Sequence, residues 1–395
     1  MTVQDTLQAV RAHEDEFIAL RRDIHQHPEL PFEELRTSDL VAARLRDWGY
    51  HVERGLGGTG VVGQLKRGDG TRTLGLRADM DALPIQEATG LQYASRNQGV
   101  MHACGHDGHT AMLLAAAKVL AEQGDFSGTL NLIFQPAEEY GTSDCGAVRM
   151  INDGLFDKYP CDAIFSMHNM PGWPQGHLIF REGPMMASSD KVYITLVGHG
   201  GHGAVPHKTA DPVVAAASLV MALQTVVSRN VDPLQTAVVT VGVLQSGRAN
   251  NVIPDSAHLE LSVRALDSEV RSLLQQRITE IAHAQAQSFG VKAEIDYRRG
   301  YAALVNSKDE TDFARQIGTE LVGAERVVPQ APPLTGSEDF AFMLEKCPGS
   351  YLLIGNGDGD KLGACMVHNP GYDFNDANLA IGAAYWTLLA RRYLV

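Results

Sequence analysis

Between residues 190 and 300 the hydrophobic period switches in an order that leaves few folds open. A two-residue alternation over 191–197 gives way to a helical repeat over 211–229, strands over 237–243 and 258–264, a helix over 267–288 and a strand over 292–297. Strand, helix, strand, strand, helix, strand is the ferredoxin-like βαββαβ unit. Its helices carry their own punctuation: Asp211 stands before Pro212 at the first helical position, Asp267 opens the second helix and Gly290 closes it.

On either side of this unit, longer helical and strand patterns alternate. Helical repeats cover 4–24, 33–48 and 109–122, and short apolar runs cover 60–64, 73–77, 130–134 and 162–167. Further elements follow Gly300, at 312–321, 338–344, 351–354 and 375–391. This alternation predicts an α/β domain, and 395 residues exceed one ordinary core at about 100–200 residues per domain. The economical arrangement is a larger α/β domain with a mixed central sheet, built from 1–186 and 301–395 and interrupted by a ferredoxin-like insert over 187–300.

Charge narrows the partners. With 47 acidic against 33 basic side chains and a net charge of −14, the chain offers phosphate backbones and anionic lipid little to hold, so neither nucleic acid nor a membrane surface is expected. Residues 1–20 carry Asp5, Glu14, Asp15 and Glu16 and no apolar run, unlike a signal peptide. No stretch reads as the roughly 18 apolar residues of a membrane span. The five cysteines are odd in number and lack Cys-x-x-Cys spacing, which fits a reducing cytoplasm.

Chemistry concentrates in four places. The segment 101–109 packs His102, Cys104, His106, Asp107 and His109 together. Cys104 and His106 flank Gly105, so one loop can turn a thiolate and an imidazole toward one ion of the zinc kind. His102 and His109 can equally well stabilise a helix start. Glu138 and Glu139 follow the apolar run 130–134. Adjacent acids can diverge, one to a metal and one to a reacting water, or they can form a solvated pair. Asp79 and Asp81, after another strand, are orienting carboxylates or turn residues, and His168 is a ligand or a satisfied core histidine. The glycine-rich 55–60 stretch runs on into strand residues rather than opening a helix, which excludes a dinucleotide fingerprint.

Taken together and in order, the segments 75–84 (GLRADMDALP), 101–110 (MHACGHDGHT), 135–139 (QPAEE), 200–207 (GGHGAVPH), 251–254 (NVIP) and 336–340 (GSEDF) resemble metal-dependent amidohydrolases of the aminoacylase and carboxypeptidase clan. Nearly the whole chain is covered. The CGHDGH run at 104–109 is similar to that of the subfamily of hippurate hydrolases, plant auxin-conjugate hydrolases and N-acetyl-diaminopimelate deacetylases, and 153–189 looks closest to hippurate hydrolases.

The resemblance implies a dinuclear site of Cys104, His106, Glu139, His168 and His368, with Glu138 as general base and Asp79 as orienting aspartate. It implies that His202 reaches the reacting carbonyl, within its own subunit or from a partner, and that Asn251 and Arg264 hold the substrate's oxyanion or carboxylate. By themselves, Asn251 reads as a turn residue and Arg264 as a strand end. Two divalent ions per subunit are expected, zinc or manganese with cobalt or nickel as alternatives. Such cations bring the pKa of water from about 15.7 toward 7. The implied reaction is hydrolysis of N-acyl-L-amino acids, with hippurate (N-benzoylglycine) first and N-acetyl-amino-acid deacetylation or dipeptide cleavage as alternatives. A metal-binding protein without turnover is the reading from another class. The inserted unit is expected to act as a lid and to dimerise through its edge strands.

Overall fold

The computed structural model describes residues 2–395. The chain divides into two compact units: Met1–Gly183 with Val305–Pro332 and Asp339–Val395, and Pro184–Leu304 with Pro333–Glu338. A six-residue piece near 335 thus belongs with the insert.

The first unit is built on an eight-stranded mixed sheet. Its strands run in the order His51–Leu56, Gly60–Arg67, Gly128–Gln135, Thr73–Asp79, Ala163–Pro171, Gly349–Gly357, Leu178–Ile179 and Val327–Val328. The four at its centre are mutually parallel. These central strands are buried over nearly their whole length, as strands covered on both faces must be. Helices His106–Gln123 and Leu379–Tyr393 are likewise buried almost all round, and they supply much of the core, with Leu113, Leu114, Tyr385 and Trp386 in one cluster with Leu76, Leu132 and Phe165. The expected 4–24 helix is two helices, Val3–Arg11 and Glu14–Gln26. Gly55–Gly60 forms the turn of an antiparallel hairpin, with Gly55, Gly57 and Gly58 at positive φ.

Parallel strands share one carboxyl edge, and Asp79 stands in register with Gln135 there. The loops that leave this edge carry Asp81, Glu138, Glu139 and His368, and His168 lies near the end of its strand. Open α/β sheets build their sites at such an edge.

The second unit has four antiparallel strands in the order Ala237–Ser246, Ser256–Ala265, Asp190–Val197 and Lys292–Arg299, with helices Pro212–Asn230 and Ser268–Ser288 packed on them. This is the ferredoxin-like topology. Asp211 accepts from Val213 N at 2.9 Å, and Asp267 accepts from Glu269 N and Val270 N at 2.8 and 3.0 Å, so both caps form. One expectation is corrected: Pro212–Asn230 is long and apolar enough to cross a membrane by length and composition. Its Ala215, Ala216, Leu219, Leu223 and Val226 lie buried in the unit's own core, at the spacing of an amphipathic helix.

Candidate metal centre

Gly105 sets the geometry of the centre. Its φ of 93° is in the left-handed region, at the residue that starts helix His106–Gln123, and it turns Cys104 and His106 toward a common point. A Cβ at Gly105 would lie 2.2 Å from Asn169 Nδ2 and 2.4 Å from the Tyr372 hydroxyl, so glycine is also the only residue that fits. The helix start is tied down by the next residue: buried Asp107 accepts from Arg21 Nε at 2.8 Å and pairs with His25 Nδ1 at 2.8 Å.

Donor atoms of Cys104, His106 and His168 lie within 4.8 Å of one another, as do those of Cys104, Glu139 and His368, and of His106, Glu138 and Glu139. Cys104 Sγ is 3.3 Å from His168 Nε2. His168 donates its Nδ1 proton to the Asn169 carbonyl at 2.6 Å, which leaves Nε2 as a lone-pair donor. His106 Nδ1 meets Asp81 Oδ1 at 3.2 Å, while its Nε2 is buried with no hydrogen-bond partner among the described residues. A buried imidazole nitrogen without a partner is costly, and a cation at that point satisfies it. His368 Nε2 lies 2.9 Å from Glu139 Oε1. The His368 backbone is also left-handed, at φ 62°, with its N–H donated to the Ala103 carbonyl at 2.7 Å, so its loop is pinned to the strand of chain that carries Cys104.

The electrostatics point the same way. Burial, with Glu139 and Glu138 adding to it, holds the Cys104 thiol well above the usual range. A thiolate there requires positive charge close by. Burial pushes His168 well below its ordinary value, so it is a neutral imidazole fit to coordinate. Burial opposes protonation of His106, but Asp79 and Asp81 outweigh it and raise the ring to about 10, so an ion binding at Nε2 must displace a proton and takes its place in the field of those carboxylates. Glu139 is lowered against the effect of burial by its bond to His368. A thiol, three imidazoles and two acids, gathered around an unsatisfied nitrogen, are a donor set suited to divalent ions of borderline softness.

Asp79 has an oxygen 3.8 Å from His106 Nε2, but its hydrogen bonds go elsewhere. Its Oδ1 holds His109 Nδ1 at 2.6 Å and its Oδ2 holds Arg77 Nη1 at 2.7 Å, whereas the carboxylate on His106 Nδ1 belongs to Asp81. Two residues of extended chain advance about 6.8 Å, so Asp81 lies beyond the sheet edge beside the helix start and Asp79 remains within the sheet. His109 is not a free donor: its Nε2 accepts from Asn169 N at 3.0 Å, which steadies the strand end that carries His168. Neither ring nitrogen of His102 has a hydrogen-bond partner among the described residues, so it caps nothing, and burial depresses it to about 3. Gln135, Arg77 and Asp339 form a buried network beneath the acidic pair. Asp339 comes from residues 336–340, but its contact with Gln135 was beyond reach of spacing alone.

His202, Asn251 and Arg264 lie on the second unit. The short strands Gly201–His202 and Val252–Ile253 pair with His202 opposite Val252, and Gly203 N donates to the Asn251 carbonyl at 2.8 Å. His202 and Asn251 are both solvent-exposed, and Ala204 N donates to His202 Nδ1 at 3.0 Å. Arg264 is half-buried, its Nη1 3.3 Å from Ser337 Oγ, and burial lowers its guanidinium.

Residues 75–392 match the family model described as Peptidase family M20/M25/M40. A hippurate hydrolase of Campylobacter jejuni is 47% identical over 379 residues, covering 96% of this chain and 97% of the relative. The N-acetyl-L-cysteine deacetylase of Bacillus subtilis is 40% identical over 374 residues, covering 94% and 86%. The crystal structure of a dinuclear metal binding peptidase of the M20 family from Bacillus subtilis superimposes with a TM-score of 0.84 at 32% identity, covering 97% of this chain and 99% of that one. Matched along nearly its whole length, the chain belongs to the M20/M25/M40 peptidase family and is a metal-dependent amidohydrolase served by divalent metal ions.

Proposed function

We propose that the chain hydrolyses the amide bond of N-acyl-L-amino acids, with hippurate as leading substrate, giving benzoate and glycine. The observation that carries this is the convergence of Cys104, His106 and His168 beside two adjacent carboxylates of which one, Glu139, is engaged by His368. Cys104, His106, Glu139, His168 and His368 would hold two divalent ions. The bound ions supply Lewis acidity, which acidifies water and polarises the amide carbonyl.

Glu138 takes the proton of the attacking water and returns it to the leaving amine, as a buried carboxyl at the sheet edge is placed to do. His202 donates to the developing oxyanion, from its own subunit or the partner's. Asn251 and Arg264 receive the substrate's oxygen atoms and free carboxylate, the guanidinium by paired N–H donors. Thiolate with imidazole favours zinc, with manganese, cobalt and nickel as alternatives set by supply.

A homodimer through the 187–300 unit fits the edge strand Ala237–Ser246 and the neighbouring helix, where Val213, Val214 and Met221 are solvent-exposed. All five cysteines are free thiols, in keeping with a cytoplasmic location.

A second reading, deacetylation of N-acetyl amino acids, is favoured by the 40% identity to the N-acetyl-L-cysteine deacetylase. A panel of hippurate, N-acetyl amino acids, indole-acetyl conjugates and dipeptides, ranked by kcat/KM, separates the two. Hippurate ranked below the simple N-acetyl amino acids would overturn the first reading. Sedimentation showing only monomer would remove both the dimer and any action of His202 across it.

A further inference from the structure

A loop more than a hundred residues away in sequence holds the backbone on which Glu138 and Glu139 are mounted. Ala137, immediately before them, has φ 51° and ψ 45°, a left-handed conformation that residues with a Cβ seldom adopt. Such a conformation persists where surrounding contacts impose it. Here the contact is a carboxyl group: Glu34 Oε1 accepts from Ala137 N at 2.8 Å. The same oxygen accepts from Phe32 N at 3.0 Å, at a second left-handed residue with φ 66°, and Oε2 accepts from the Thr59 hydroxyl. Glu34 is wholly buried.

The same loop grips the far end of the acidic turn. The Phe32 ring meets Tyr140 edge-on with centroids 4.9 Å apart, and the Arg149 guanidinium lies 3.8 Å over the Phe32 ring. On the other wall of the site, the Glu29 carbonyl accepts from Ala82 N at 2.8 Å, next to Asp81. Residues 29–34 therefore touch both the 81–82 corner and the 137–140 turn. Three donors, two of them buried, face Glu34, and its two oxygens satisfy them together.

We propose that Glu34 is a positioning residue for this reaction: its carboxyl holds Ala137 in the left-handed conformation and thereby aims Glu138 and Glu139. The inference rests on reading Glu138 as the base and Glu139 as a metal-holding residue. Glu34 touches neither substrate nor ion and acts through the backbone alone. Glutamine in its place keeps the Oε1 acceptor for Ala137 and Phe32, and the Thr59 hydroxyl can rotate to accept from the new amide.

The test compares metal-loaded wild type, Glu34→Gln, Glu34→Ala and the double variant Glu34→Ala with Ala137→Gly, measuring kcat, KM, metal content and Tm. Glu34→Gln is expected to keep kcat within about threefold, and Glu34→Ala to lose roughly 10- to 100-fold per folded, metal-loaded chain with little change in KM. Adding Ala137→Gly should recover at least about threefold of that loss, because glycine takes a φ near 50° without a Cβ penalty. A merely structural role predicts lower Tm without either effect on kcat. The proposal is overturned if Glu34→Ala keeps kcat within about twofold of wild type, or if the glycine gives no recovery. Should Glu34→Ala not fold, Glu34→Asp replaces it, since the carboxyl retracted by one methylene leaves Ala137, and unchanged kcat there also overturns the proposal. Glu138→Gln separates the two levels. Full turnover in that variant sinks the reading of the acidic turn itself, whereas its loss beside an active Glu34→Ala sinks only the positioning role.

Discussion

Asp81 Oδ1 stands 3.2 Å from His106 Nδ1, and its other oxygen accepts from the backbone N–H of Glu139 at 2.9 Å. One carboxylate therefore fixes the ring of one proposed ligand and the main chain of another. Asparagine in its place has a single acceptor oxygen, so one of the two donors would face an amide N–H. Asp81→Asn is expected to weaken metal binding by roughly 10- to 100-fold while the chain remains folded. Competition titration against a coloured chelator measures this. Unchanged affinity would show that His106 is held by the helix start alone.

Gly105→Ala should be among the most damaging single-methyl substitutions in the chain. The new Cβ would meet Asn169 Nδ2 at 2.2 Å and the Tyr372 hydroxyl at 2.4 Å, both buried, at a φ of 93°. Relief requires moving either the helix start or the end of strand Ala163–Pro171 that bears Asn169, and both carry proposed ligands. A loss of about 3 kcal/mol or more is expected, with metal stoichiometry falling in parallel. Urea denaturation with metal analysis would check it, and a variant as stable as wild type would show that the cradle is softer than its contacts imply.

The architecture was legible because both units repeat their period for long stretches. The six long elements of 191–297 needed only end corrections of up to three residues, since Asp211, Asp267 and Gly290 mark helix ends chemically, whereas the two-residue strands Gly201–His202 and Val252–Ile253 are too short to show a period and were missed. The break between Arg11 and Glu14 was missed because the apolar repeat continues across it. Cys104 and His106 could be inferred from spacing, being two residues apart in one loop. His368 came only from family resemblance, for its loop is brought to Glu139 by tertiary contacts 229 residues apart. The division of labour between Asp79 and Asp81 was illegible for a different reason: both lie on the same face of an extended segment, and the position of the helix start decides which one meets His106. Glu34 and Ala137 carry no local signal at all, since a left-handed alanine is set by its partner and not by its own side chain.

Burial, reinforced by the charge of Asp81, pushes Glu34 up to about 7, against the pull of its Thr59 and backbone donors. The unfolded chain releases this proton near 4.5. Between those values the folded state binds more protons than the unfolded one, so stability falls as pH rises through the window. The contribution is at most roughly 3 kcal/mol. Glutamine cannot titrate, so in chelator-treated protein Glu34→Gln should gain on wild type as pH climbs from 4.5 to 7. Denaturation midpoints at several pH values would show diverging curves. Parallel ones would mean that Glu34 is ionised throughout.

Glu138 and Glu139 are neighbours in sequence with opposite expected responses to the same change. Glu139 is tied at both ends, by its backbone to Asp81 and by its carboxylate to His368, so its side chain is committed to the donor set. Glutamine there keeps one oxygen but loses the charge that offsets a divalent ion, and metal content should fall together with kcat. Glu138, buried in the same turn, is proposed to exchange a proton and not to hold an ion. Glu138→Gln should therefore retain its metal while kcat drops by about 10²- to 10⁴-fold and KM changes little, the pattern of a lost general base. Metal analysis beside steady-state kinetics separates the two variants. If Glu138→Gln lost its ions as Glu139→Gln does, both acids would belong to the metal and the base would have to be sought elsewhere.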